Sequence, residues 1–299
     1  MNNSNEKSSG GAPSLTAAPR PGSDIGFIGV FCGLGAVYVV LIAAMLIADA
    51  GFVTAEHFKD ALASREIRYA IKLSLISCTL TAIFSLWIAV PIGYLLSRYR
   101  FWGKNFIDAV LDIPIVLPPL VIGLSLLILM QSGLGKLAED VFQAVAFKLF
   151  HIRTGITYKL PAVILAQFMV ACAFAVRTMR ATFDQINARQ EQVALTLGCS
   201  RGQAFWMVIL PQARRGMLTA GTLAWSRALG EFGPILVFAG ATRMHTEVLP
   251  TTIFLELSIG NIEAAVAVSL LMVLAALIVL IVVRVFGYRS AALHWGDPT

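Results

Sequence analysis

Arg227 and Glu231 stand four residues apart inside an otherwise apolar stretch that runs from about Gly216 to Thr242. On a helix that spacing puts base and acid on one face, close enough to pair. Charges inside an apolar segment are costly, so they pair with each other or line a polar path. The chemistry on offer is electrostatic. Arg227 and Glu231 can line such a path, or the two can form an ion pair that only fixes helix register.

Covalent and metal chemistry find no such constellation. His57, His151, His245 and His294 are scattered and no H-E-x-x-H occurs. Cys32, Cys78, Cys172 and Cys199 form no close-spaced pair, so neither a disulfide framework nor a zinc site is expected. Gly133-Leu134-Gly135-Lys136 is too short for a phosphate loop, and Gly33 with Gly35 fits close helix packing better than nucleotide binding. No catalytic residue, metal or cofactor is assigned to this chain.

Two further patterns bear on mechanism. Pro114, Pro118 and Pro119 interrupt an apolar run. They remove backbone donors and bend a helix, either as a static kink or as a hinge or gate. The segment from Gln190 to Pro211 reads as a short helix over Glu191 and Ala194, stopped at Gly198. Ser200 can cap a second helix, and Pro211 fits the first turn of the next one or a turn just before it. An exposed helix-turn-helix of this kind is something a soluble partner can grip, though an ordinary connector has the same outline.

The elements that must position these residues are membrane helices. Hydrophobic residues make up 58% of the 299 and charged ones only 13%, with a mean hydropathy of +0.78. Soluble domains carry roughly a quarter charged residues. Six apolar segments are expected to cross a bilayer: Ile25 to Ala48, Leu73 to Ser97, Ile113 to Gly135, Leu160 to Val176, the stretch holding Arg227 and Glu231, and Ala264 to Val283. Residues 1–23 read as a disordered tail, 24–288 as one membrane domain with an inner loop at 177–215, and 289–299 as a C-terminal tail. Residues 136–158 read as an interfacial or capping helix on the outer side.

The net charge of +6 is spread over short connections, with no basic run of five. That distribution fits topology control and not nucleic-acid binding. With both termini inside, thirteen of the 23 basic residues fall on the inner side and nine on the outer, with Arg227 between.

The inner loop resembles the cytoplasmic loop of permeases of binding-protein-dependent ABC importers, whose pattern is E-A-A-x-x-x-G, nine residues, I-x-L-P. Ala194, Gly198, Leu210 and Pro211 match, and Val208 takes the Ile position. Gln192 and Val193 depart from the pattern, with Glu191 one residue early. The runs Asp112 to Gly123, Arg227 to Gly233, Phe238-Ala239-Gly240 and Thr246 to Pro250 resemble the sulfate/molybdate/tungstate branch. Together the matches cover roughly residues 66–286.

The resemblance implies an all-α polytopic fold of the type I (MetI-like) importer permease class in a bacterial or archaeal cytoplasmic membrane. It implies ATP and Mg on separate ATP-binding cassette ATPase subunits, a periplasmic oxyanion-binding protein and a second permease subunit, identical or different. Under it, Glu191, Ala194, Gly198, Leu210 and Pro211 belong to the ATPase-coupling loop, and Arg227, Glu231, Pro118 and Pro119 to an anion pathway or gate. Sulfate, thiosulfate, molybdate and tungstate all stay open. A secondary transporter would more naturally show inverted repeats, and none is evident.

Overall fold

The computed structural model describes residues 25–151 and 155–292, all helix and connection. The expected tail at 1–23 lies outside the described residues. At the other end a helix continues through Ala292, so part of the expected 289–299 tail is helical and the remainder lies outside them.

The first helix, α1 (Ile25–Phe52), is apolar on every side and carries no charge before Asp49. That is the composition of a helix surrounded by lipid.

The remaining chain is built on three helices. These are α3 (Arg65–Arg98), preceded by the short α2 (Ala55–Ala63), then α7 (Leu160–Gln185) and α10 (Leu210–Leu229). Their facing sides are made of small residues: Ala70, Ser74, Ser77 and Cys78 on α3, Ala162, Ala166 and Ala175 on α7, Ala213, Ala220 and Ala224 on α10. In lipid the hydrophobic effect does not drive helices together, so close backbone approach and interhelical hydrogen bonds must. Gln167 on α7 supplies the latter from within the bundle. It accepts from the Thr81 hydroxyl (3.2 Å) and donates to the Ala228 carbonyl (3.2 Å), joining all three helices.

The expected third crossing is not one helix. It consists of α4 (Lys104–Val116) and α5 (Pro119–Gln131), bent by 113° at Leu117-Pro118. Pro118 and Pro119 have no amide hydrogen to continue the ladder, and Leu117 before them is held extended (ψ 139°). Two ion pairs fix α4 against α7, Asp108 with Arg180 and Asp112 with Arg177. After α5 comes α6 (Gly133–Phe150), which exposes Leu134, Leu137, Val141 and Val145 along one stripe.

The expected fifth crossing is also interrupted. α10 ends at Leu229, and the chain resumes as α11 (Gly233–Phe238), then α12 (Leu249–Ser258) and α13 (Ile262–Ala292). Most of the expected inner loop at 177–215 is helical too. α7 carries on to Gln185, and α8 (Ala188–Thr196) and α9 (Arg201–Ala204) lead through a π-helical turn, Phe205–Ile209, into α10. That turn precedes Pro211, which has no N–H for the usual bond.

By length and composition, four of the described helices can cross a membrane: α1, α3, α7 and the α13 segment Ile262–Val283. The bent pair α4 and α5 makes a fifth if counted as one span. α10 does not qualify, since Arg214, Arg215 and Arg227 all lie within its twenty residues.

Candidate functional site

The interruption of α10 and the start of α5 meet. Pro118, Pro119 and Leu120 from one, with Arg227, Gly230, Glu231, Phe232 and Gly233 from the other, line an open cavity of about 310 Å³. All four residues assigned to a pathway or gate, namely Arg227, Glu231, Pro118 and Pro119, therefore lie on its wall. Contact between the two breaks needs glycine. A Cβ on Gly123 would sit 2.8 Å from Pro234 Cα, and one on Gly233 would sit 3.1 Å from Leu120 N.

Arg227 and Glu231 do pair, but not along one helix face. Arg227 is in the last turn of α10 and Glu231 lies two residues past its end. The guanidinium Nη1 is 2.6 Å from Glu231 Oε1, off the line of a hydrogen bond, so the contact is a charge pairing. The partners are unequal. The Glu231 side chain is 1% exposed and that of Arg227 30%, and the Arg227 guanidinium also lies 5.6 Å from the Phe174 ring centroid. Glu231 is thus the buried counter-charge, and Arg227 is the cation available to the cavity.

The helical segment before α10 has the local structure its residues predict. Asn187 caps α8, Gly198 takes φ +92° two residues beyond it, and Ser200 with Gln203 forms a capping box on α9. A Cβ on Gly198 would meet nothing within 4 Å, so the glycine is there for its backbone conformation and not for space. Ala194 is buried, while Leu197, Trp206 and Met207 are 80%, 68% and 70% exposed. Exposed apolar side chains of this size are what an interaction surface would present.

Glu191 ties that surface to the bundle. It accepts a hydrogen bond from the Tyr94 hydroxyl (2.6 Å), and its second oxygen is 3.5 Å from Arg98 Nε, an ionic contact. Arg98 in turn donates to the Ile186 carbonyl (2.7 Å), and Arg201 donates to the Tyr99 hydroxyl (3.1 Å). Tyr94 itself is packed edge-on to Phe183 and Phe205.

At the opposite end of α3, Leu249 N donates to Ser74 Oγ (2.8 Å) and Arg243 pairs with Glu256 (2.8 Å). Glu247 is fully buried nearby, and burial pushes its carboxyl above the usual carboxylate range.

The family model for the inner membrane component of binding-protein-dependent transport systems matches residues 89–291, which include both the cavity and the α8–α9 element. The chain belongs to this family. It is an inner-membrane permease, the non-catalytic component of a binding-protein-dependent ABC importer.

Among curated relatives, the sulfate transport system permease protein CysT of Salmonella typhimurium is 29% identical over 230 residues, covering 77% of this permease and 80% of CysT. The molybdenum transport system permease protein ModB of Mycobacterium tuberculosis is 31% identical over 81% of this permease and 88% of ModB. A probable molybdenum ABC transporter permease protein of Haloferax volcanii is 34% identical over 72% and 73%. Among solved structures, a chain of a bacterial alginate ABC transporter, in complex with alginate pentasaccharide-bound periplasmic protein, superimposes with a TM-score of 0.68. It is 16% identical and covers 89% of this permease and 95% of that chain. The likeness identifies the fold.

Three features of the permease were not anticipated from its sequence. Arg177 and Arg180 count by sequence among the inner-side basic residues, yet they form the ion pairs that seat α4. Gln167 falls within the apolar segment Leu160 to Val176, yet it bonds to both neighbouring helices. The Tyr94–Glu191 bond joins residues 97 positions apart, and only the odd placement of Glu191 in the loop pattern hinted at a role for it.

Proposed function

We propose that this permease carries a tetrahedral oxyanion of the sulfate, molybdate or tungstate class, using energy from ATP hydrolysed on separate subunits. The observation that carries the reading is the cavity at the paired breaks of α5 and α10, with Arg227 partly open to it and its counter-charge buried. One accessible guanidinium gives an anion a favourable field, while the Glu231 carboxylate behind it keeps the hold weak enough for release. The sulfate and molybdenum names of relatives that align over most of the chain support the substrate class.

In this reading α10 is the sixth crossing, its charges tolerated because they face protein or a water-filled path. The segment from Glu191 through Ala194 and Gly198 to Leu210 and Pro211 docks on an ATP-binding cassette subunit through Leu197, Trp206 and Met207. That end, with both termini, faces the cytoplasm, and a periplasmic binding protein delivers the anion to the other. A second permease subunit completes the pathway.

The test is uptake of labelled sulfate and molybdate into vesicles holding this permease with its ATPase and binding protein. ATP-dependent uptake of at least one anion is expected. Fully assembled vesicles that accumulate neither of these anions nor tungstate would overturn the assignment, and uptake without ATP would point to a secondary transporter.

A further inference from the structure

The turn between α3 and α4 borders a second cavity, which shares no lining residue with the one at the helix breaks. Arg100, Phe101, Gly103, Lys104 and Asn105 from the turn, with Arg180 from α7, line an open cavity of about 430 Å³. Three of these residues are cationic and none is acidic. Arg180 is engaged by Asp108 and lies 3.9 Å from Asp184. The side chains of Arg100 and Lys104 have no hydrogen bond or ion pair among the described residues. Gly103 begins α4 without a side-chain cap, which adds the partial positive charge of a helix N-terminus to the two free cations.

The surroundings are apolar and aromatic. Trp102 is completely exposed, Phe106 is 73% exposed, and Leu95 and Val110 continue the apolar surface on α3 and α4. A soluble anion has no use for such a rim. A phospholipid has, because its phosphate needs the cations while its glycerol and acyl regions need the apolar and aromatic surface just beneath. The cavity also adjoins the end of α3, a helix long and apolar enough to cross a membrane, where a headgroup would lie if the apolar run Leu73 to Ser97 spans the bilayer.

We propose that this cavity binds the headgroup of an anionic phospholipid, phosphatidylglycerol or cardiolipin, through Arg100 and Lys104, with Trp102 and Phe106 against the lipid. Occupancy would brace the α3–α4 turn and, through Arg180 and Asp108, the packing of α4 on α7. The site requires only that the chain span a bilayer, so its test is independent of which anion is transported.

The experiment is native mass spectrometry of the full-length permease in detergent with phosphatidylglycerol, cardiolipin or phosphatidylcholine added. Anionic lipid adducts should persist under activation that strips phosphatidylcholine. Arg100→Gln with Lys104→Gln should lower their occupancy about tenfold or more. Arg100→Lys with Lys104→Arg should restore it, and Trp102→Ala should give a smaller loss. Both cations are unpartnered, so an unchanged melting temperature in phosphatidylcholine verifies that the double variant is folded. Two results would each overturn the site: equal retention of anionic lipid by the folded double variant, or displacement of the lipid by millimolar inorganic phosphate.

Discussion

The Tyr94 hydroxyl donates a 2.6 Å hydrogen bond to Glu191 Oε1, joining the last turns of α3 to the first turn of α8. Hydrogen bonds to a charged acceptor are the stronger kind, and this one is partly shielded by the Phe183 and Phe205 rings. It ties α8 to α3 by a direct side-chain contact.

Tyr94→Phe removes that bond and keeps the ring packing. The expected result is a loss of about 1–2 kcal/mol in stability, seen as a lower melting temperature, with ATP-dependent uptake reduced several-fold at normal membrane abundance. Glu191→Gln keeps an acceptor and should be milder than Glu191→Ala. Wild-type uptake by all three variants would remove this bond from the coupling path.

Gly198 separates backbone strain from surface contact. A β-branched residue there has room but must adopt a left-handed conformation, costing about 1–2 kcal/mol. Asn tolerates that conformation, so Gly198→Asn should be better folded than Gly198→Val. Gly198→Asp should weaken ATPase association and uptake while membrane insertion persists. Co-purification of the ATPase with each variant is the measurement, and undiminished association across the series would exclude this turn from the docking surface.

Arg227 and Glu231 call for a paired experiment. Arg227→Gln alone leaves a buried carboxylate without its cation, at a cost of roughly 3–5 kcal/mol, so low abundance by itself would say little. Combining it with Glu231→Gln removes both charges and should restore abundance. If the cation serves the pathway, transport by the double variant stays impaired. If the pair only sets register, transport recovers along with abundance.

Gly123→Ala tests the meeting of the two helix breaks. Its Cβ would lie 2.8 Å from Pro234 Cα and 3.0 Å from the Pro234 carbonyl oxygen, so α5 and α11 must part. A destabilisation of about 1–3 kcal/mol is expected. Gly133→Ala, which meets nothing within 4 Å, should be close to neutral in the same thermal unfolding measurement.

The sequence made legible what depends on local rules. Uncharged apolar length located α1, α3, α7 and α13 with ends shifted by several residues, and Gly198, Ser200 and Pro211 each took the position that their backbone preferences dictate. The breaks were legible only as anomalies. Pro118 and Pro119 foretold a bend, but a 113° turn depends on α4 being held elsewhere by Arg177 and Arg180. The spacing of Arg227 and Glu231 foretold their pairing but not the helix end between them, because a helix face and a well-placed turn bring residues four apart to the same distance. Contacts such as Gln167 with Ala228, or Asp108 with Arg180, join positions far apart in sequence, and no periodicity announces them.

The π-helical turn at Phe205–Ile209 has a mechanical consequence. Such a turn is a point where a helical path bends, and here it carries the exposed Trp206 and Met207 and contributes no residue to the cavity. Beyond it α10 runs unbroken to Arg227, about 26 Å at 1.5 Å per residue. If docking moved that turn, the rod would act as a lever with a long output arm, and the Gln167–Ala228 bond at its far end would have to give. A swing of about 10° would carry Arg227 by roughly 4–5 Å over that length, comparable to the diameter of a small oxyanion.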